Sequence, residues 1–151
     1  MRLLFVCTGN TCRSSMAEIL ARRELERRGL SGRVEVLSAG TSTVSGLPAS
    51  HHAIHIMTDM SLDLHGHRST MLSRELVESA DLVLTMTHGQ RRMVEDICPG
   101  AASRVYTLAG YAGGGGDVPD PFGGDREIYR ACAASLQRLI ILAVDRLLRE
   151  S

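Results

Sequence analysis

Short apolar runs and amphipathic stretches alternate along this chain. The apolar runs predict four strands, at 2–6, 34–37, 81–86 and 104–108. Apolar residues at spacings of three and four predict helices at about 14–28, 48–57, 88–97 and 125–149. Because strands alternate with helices, we expect a parallel, doubly wound α/β sheet. No repeat or linker interrupts this order, so we expect a single domain over residues 1–151.

One long segment, residues 109–124, is of low complexity. Four consecutive glycines at 113–116 are followed there by the sequence Asp-Val-Pro-Asp-Pro-Phe-Gly-Gly. A loop of this length inside a compact domain is usually either functional or disordered. Doubly wound sheets bind their ligands at the carboxyl ends of the strands, and Cys7 directly follows the first strand.

Composition and charge exclude several classes of protein. Lys plus Arg and Asp plus Glu each count 17, and the net charge is zero, whereas a nucleic-acid or anionic-membrane binder would carry a positive excess. No apolar run approaches the ~20 residues of a membrane span, and the N-terminus lacks the cleavage region of a signal peptide. We therefore expect a cytoplasmic protein. Its four cysteines are too few and too scattered for a disulfide scaffold.

The residues after the first strand carry the chemistry. A loop between a strand and a helix N-terminus points backbone N–H groups inward, and the helix dipole adds positive potential. The Arg13 guanidinium can bind two phosphate oxygens with parallel hydrogen bonds, while the same positive field favours a thiolate nucleophile at Cys7. Ser14 could donate a further hydrogen bond to that sulfur. The predicted phosphate-binding residues are Thr8, Gly9, Asn10, Thr11, Cys12, Arg13 and Ser14, with Phe122 from the later loop.

Thiolate attack requires a general acid for the leaving group, and Asp120 followed by Pro121 supplies a candidate. Taken alone, Asp-Pro is more often an ordinary turn, and an isolated cysteine at a strand end is more often a small core residue. The cysteine, the arginine six positions later, the strand before and the helix after favour the functional interpretation. A Walker A loop is excluded because the Gly-Lys-Ser/Thr ending is missing.

These motifs together resemble the low-molecular-weight phosphatase family. Cys-x5-Arg-Ser stands almost at the N-terminus and Asp-Pro in the last third, and Ser38-Ala39-Gly40 and residues 80–86 extend the likeness along the chain. The resemblance implies a four-stranded parallel sheet flanked by helices on both faces, and a two-step reaction through a phosphocysteine at Cys7. Asp120 would protonate the leaving group and then activate water. By the same resemblance, Cys12 is a second, protective thiol, and the loop is supported by Asn10, Ser14, Ser38 and His65.

Two details resemble the bacterial protein arginine phosphatases within this family. Thr11 stands where tyrosine-directed members usually carry a larger aliphatic residue. Phe122 is the only aromatic residue in the acid loop, residues 120–124, where many of those members place aromatic side chains. A threonine hydroxyl can bond a flat, polar guanidinium group. One position departs from the family pattern: Ser15 stands where proline is common.

Three other functions compete with a phosphoarginine phosphatase. A tyrosine phosphatase would use the same catalytic residues: Cys7, Arg13 and Asp120. An arsenate reductase of related fold needs further cysteines close together, and Cys98 and Cys132 lie far apart in the sequence. A non-catalytic phosphate-binding module would not need both a nucleophile and an acid.

We expect no cofactor and no metal, because the histidines at 51, 52 and 55 lack a further ligand and are better explained as solvent-facing. The expected partners are phosphorylated proteins, with inorganic phosphate as a product, and neither nucleic acid nor membrane.

Overall fold

The sheet has four strands, all parallel, in a computed structural model that describes residues 1–150. The strands are β1 (Arg2–Cys7), β2 (Glu35–Gly40), β3 (Leu82–Thr85) and β4 (Val105–Thr107), in the spatial order β2-β1-β3-β4. In this register Cys7 lies beside Gly40. The carboxyl ends of the three strands β1, β2 and β3 therefore meet at one edge of the sheet.

Six α-helices and one 3₁₀-helix surround the sheet within the described residues. The α-helices are α1 (Arg13–Arg27), α2 (His51–Asp59), α3 (Arg74–Ser79), α4 (His88–Ile97), α5 (Leu108–Tyr111) and α6 (Arg126–Glu150), and the 3₁₀-helix is Pro99–Arg104. None of the helices in residues 1–150 is both long and apolar enough to cross a membrane.

Two apolar clusters cover the two faces of the sheet. Alternate residues of a strand point to opposite faces, and β1 contributes Leu3 and Phe5 to the larger cluster and Leu4 and Val6 to the smaller one. The larger cluster includes apolar side chains of α1, α2 and α6, and the smaller one includes side chains of α3 and α4. All four of these β1 residues are almost fully buried, as expected for a parallel sheet covered by helices on both faces.

The predicted four-stranded parallel α/β fold is confirmed, with differences at the ends of elements and in short helices. The predicted helix 48–57 begins instead at His51, because the Ser50 hydroxyl accepts the Ala53 N–H and caps it. The strand predicted at 34–37 runs on to Gly40. Helices α3 and α5 were not predicted, since helices of six and four residues are too short to show a periodic apolar pattern.

Candidate active site

The loop between β1 and α1 encloses the sulfur of Cys7. This sulfur lies 2.8 Å from the Ser14 hydroxyl and accepts the backbone N–H of Asn10 at 3.2 Å. Helix α1 has no side-chain cap and no acidic residue in its first turn. The positive end of the helix dipole is therefore left available to an anion in the loop.

Asn10 organises the loop from the inside. It is fully buried, and its backbone is left-handed, with a φ of 58°. Its side-chain Nδ2 donates to the hydroxyls of Ser14 at 2.8 Å and Ser38 at 2.9 Å, and its Oδ1 accepts the Thr70 N–H at 2.9 Å. Ser38 in turn donates to Glu18. The structure thus brings Asn10, Ser14 and Ser38 together.

The structure corrects one member of that support network. His65 is exposed and bonds Asp63, two residues before it, through Nδ1 at 2.8 Å. The histidine that contacts the loop is His67, whose Nε2 lies 2.6 Å from the carbonyl oxygen of Asn10. His65 and His67 lie in a connecting segment without regular structure, and no periodic pattern there indicates which side chain points inward.

Two further residues, Gly40 and Gln90, support the loop and were not predicted as site residues. A β-carbon on Gly40 would lie 2.6 Å from the backbone oxygen of Thr8, so only glycine allows β2 to approach the loop this closely. Gln90 is buried in α4 and donates to the Thr8 hydroxyl at 3.1 Å. The Thr87–Gln90 spacing forms a capping box, a signal that marks the start of α4 but not its contact with the loop.

Arg13 connects the loop to the predicted acid. Its side chain is almost fully buried, its Nη1 donates to the Val118 carbonyl at 2.9 Å, and its Nη2 lies 3.5 Å from an Asp120 carboxylate oxygen. Asp120 is half-exposed, and its other oxygen accepts the Phe122 N–H at 3.0 Å. Phe122 is 78% exposed. A pocket of about 240 Å³ is lined by residues of the loop together with Asp120 and Phe122.

A protein-family model matches almost the whole chain. The model described as low molecular weight phosphotyrosine protein phosphatase matches residues 2–151. The chain belongs to this phosphatase family.

Similar proteins include two named protein-arginine-phosphatases. The one from Geobacillus stearothermophilus is 42% identical over 150 residues, which cover 99% of this chain and 97% of that protein. The one from Bacillus subtilis (strain 168) is 43% identical over 141 residues, which cover 93% and 92%. Among solved structures, a cysteine-to-serine mutant of YwlE arginine phosphatase with a phosphorylated active-site serine superimposes with a TM-score of 0.94 at 40% identity. That match covers 99% of this chain and 97% of the other.

The second cysteine of the phosphatase loop lies in a polar contact of its own. Cys12 is buried, and its sulfur lies 3.4 Å from the Ser50 hydroxyl and 3.2 Å from the Tyr129 hydroxyl. Burial, followed by the hydrogen bond with Cys12, raises the pKa of Tyr129 to about 12. Tyr129 therefore remains protonated at neutral pH and can donate to the Cys12 sulfur.

The remaining cysteines and histidines of the phosphatase lie outside the pocket. Cys132 is buried in the larger cluster, where burial raises the pKa of its thiol to about 11, and Cys98 is buried in the smaller cluster. The ring of His52 packs on that of Tyr129, with centroids 5.1 Å apart, so the expectation that His52 faces solvent is wrong. Within residues 1–150, no group of three His, Cys, Asp or Glu side chains could hold a metal ion.

Ser15, at the position where the family commonly has proline, makes a hydrogen bond to the phosphate loop. The Ser15 hydroxyl donates to the carbonyl oxygen of Cys12 at 2.9 Å. This bond ties the first turn of α1 back to the loop.

Proposed function

We propose that this phosphatase hydrolyses phosphoarginine residues of proteins through a phosphocysteine at Cys7. The observation that carries the proposal is that one small pocket contains a buried cysteine sulfur, a buried arginine and a half-exposed carboxylate. The arginine specificity is supported by the similarity to two named protein-arginine-phosphatases over more than nine-tenths of the chain.

The reaction follows from the roles that these groups can take. The Cys7 thiolate attacks phosphorus, the phosphorus–nitrogen bond breaks, and Asp120 gives its proton to the departing guanidine nitrogen. Water then attacks the phosphocysteine, Asp120 takes the proton from that water, and Cys7 leaves as a thiolate with release of inorganic phosphate. Arg13 and the loop N–H groups bind the phosphoryl oxygens in both steps.

Thr11 supports the preference for a guanidinium over a phenyl ring. Its side chain lines the pocket, and its hydroxyl makes only a long contact of 3.8 Å with the Cys12 sulfur. This hydroxyl is therefore free to bond a polar substrate. Among residues 1–150, Phe122 is the one aromatic ring that lines the pocket, whereas a phosphotyrosine site gains from aromatic rings on both sides of the substrate.

The second candidate function is a protein tyrosine phosphatase, since the same three catalytic residues would serve it. The decisive comparison is kcat/KM for peptides that carry phosphoarginine or phosphotyrosine at the same position. We expect phosphoarginine to be preferred by the wild-type protein. A preference for phosphotyrosine would replace the proposal by the second candidate, and turnover of neither would contradict both.

Variants at position 11 test the basis of the preference. Thr11→Ile removes the hydroxyl and adds apolar bulk, and it should shift the ratio of the two kcat/KM values toward phosphotyrosine by roughly 10- to 100-fold. Thr11→Val is the matched control, because it removes the hydroxyl with little change in volume. A ratio that stays constant while both activities fall would show that Thr11 only supports the loop.

Cys7→Ser serves as the inactive control for both substrates. The variant should fold but not turn over, because a hydroxyl is a poorer nucleophile and a phosphoserine ester resists the second step. A phosphorylated serine has been seen in the mutant YwlE structure. We propose the cytoplasm as the location, since the mechanism requires a reduced thiol.

A further inference from the structure

The loop that carries Asp120 is fixed at its base by contacts with three parts of the protein. Val118 is buried, its N–H donates to the Met86 carbonyl at 2.8 Å after β3, and its own carbonyl accepts from Arg13. Directly before it, one oxygen of Asp117 accepts two bonds from the first residue of α4. These are the His88 backbone N–H at 2.9 Å and the His88 Nδ1–H at 2.7 Å.

The segments on either side of this base differ in their freedom. Upstream lie four glycines, two of them, Gly113 and Gly116, with φ near +98° and +87°, and glycine lacks a side chain that could anchor this stretch. Downstream, the Gly124 N–H donates to the Pro121 carbonyl in a tight turn that leads into α6. Besides the direct contacts of Asp120 with Arg13 and with the Phe122 N–H, the contacts made by residues 117 and 118 therefore help to set the position of Asp120.

The start of α4 also contacts the phosphate loop. Gln90, in the first turn of α4, donates to the Thr8 hydroxyl at 3.1 Å, and the Thr87 side chain caps the same turn. The first turn of α4 thus contacts both loops. Gln90 bonds the phosphate loop, and His88 bonds the loop that carries Asp120.

We infer that Asp117 and His88 form a positioning pair that holds the acid loop in register with the phosphate loop, so that the Asp120 carboxyl faces the leaving group. The inference rests on the proposed role of Asp120 as general acid. The two bonds from His88, the backbone one first, lower the pKa of Asp117. Its carboxylate is thus ionised near neutral pH, and its negative charge interacts favourably with the positive N-terminus of α4.

The test uses phenyl phosphate and p-nitrophenyl phosphate, two substrates that differ in leaving group and not in charge. Phenol is a poor leaving group that needs the proton of Asp120, whereas p-nitrophenol needs it far less. Asp117→Ala should raise the ratio of kcat/KM for p-nitrophenyl phosphate over phenyl phosphate by roughly three- to tenfold, the order expected from losing a charged contact. His88→Ala should change the ratio in the same direction and less, since its backbone N–H remains.

Asp117→Asn separates positioning from charge. Its amide oxygen can accept the same two N–H groups, so it should recover part of the wild-type ratio. The matched control is Asp63→Ala, which removes a second aspartate that accepts both the backbone N–H and the ring Nδ1–H of a histidine, here His65 at 2.9 and 2.8 Å. That pair joins neighbouring residues of one loop, so its loss should leave the ratio unchanged.

The outcomes separate this inference from the proposed function. A ratio that stays at the wild-type value in Asp117→Ala, even with lower activity or a lower melting temperature, would overturn the positioning role. An equal change in Asp63→Ala would also overturn it. If Asp117→Ala does not fold, the ratios for Asp117→Asn and His88→Ala decide the question. Failure of the phosphoarginine proposal would instead appear as a lack of preference for phosphoarginine peptides in the wild-type protein. The kcat/KM ratio for the two aryl phosphates would still test the Asp117–His88 pair.

Discussion

Replacing Asn10 by alanine and by glycine separates the two things that this residue does for the phosphate loop. Both substitutions remove the bonds from its side chain to Ser14 and Ser38 and the bond that it accepts from the Thr70 N–H. Only alanine then leaves a β-carbon on a backbone with a φ of 58°. Comparing the two variants therefore isolates the cost of the left-handed conformation from the cost of the lost bonds.

The expected losses of stability depend on which groups keep a hydrogen-bond partner and on the backbone conformation. The Thr70 N–H loses its acceptor, at a cost of about 1–3 kcal/mol, while Ser14 and Ser38 each keep a second contact, with Cys7 and Glu18. Alanine in the left-handed region costs roughly 1–2 kcal/mol more, whereas glycine loses about 0.5–1 kcal/mol in chain entropy. Asn10→Ala should therefore be less stable than Asn10→Gly by up to about 1.5 kcal/mol.

The free energies of unfolding are measured by urea denaturation followed by circular dichroism. Ser61 provides the control, because it is exposed and also has a positive φ, of 63°. Ser61→Ala should likewise be less stable than Ser61→Gly, without the loss of activity expected at position 10. An Asn10→Ala variant more stable than Asn10→Gly would refute the backbone argument. Wild-type stability and kcat in both Asn10 variants would refute the supporting role of the network.

Three further predictions concern the acid, the thiols and a buried tyrosine. Asp120→Asn should lower turnover of substrates with poor leaving groups by roughly 10²–10⁴-fold and that of p-nitrophenyl phosphate much less; equal losses would show that Asp120 is not the acid. Mild peroxide should inactivate the enzyme reversibly through a Cys7–Cys12 disulfide, and peptide maps with only sulfinic Cys7 and a free Cys12 would contradict this. The unfolding free energy should fall as the pH rises from about 10 toward 12, because the unfolded chain releases the Tyr129 proton near pH 10 and the folded protein, where the pKa of Tyr129 is about 12, retains it. Tyr129→Phe should reduce that slope, and an unchanged slope would show that Tyr129 is not responsible for it.

The chemistry of the pocket could be predicted because its main groups are local in sequence. Cys7, Arg13 and Ser14 lie in one uninterrupted strand–loop–helix segment, where residue types and spacing already determine which groups can surround a phosphate. The alternating order of strands and helices predicted the parallel sheet in the same way, since each element buries an apolar face that its own periodicity reveals.

The contacts that position this chemistry were decided by the tertiary structure. The register that places Gly40 beside Cys7 brings β2 against the loop, and β3 delivers α4 with Gln90 and His88 to the same edge of the sheet. The path of an irregular segment places His67, and not His65, against the carbonyl oxygen of Asn10. None of these pairings leaves a periodic trace in the sequence, because each joins segments that are distant along the chain and close only after the sheet has formed.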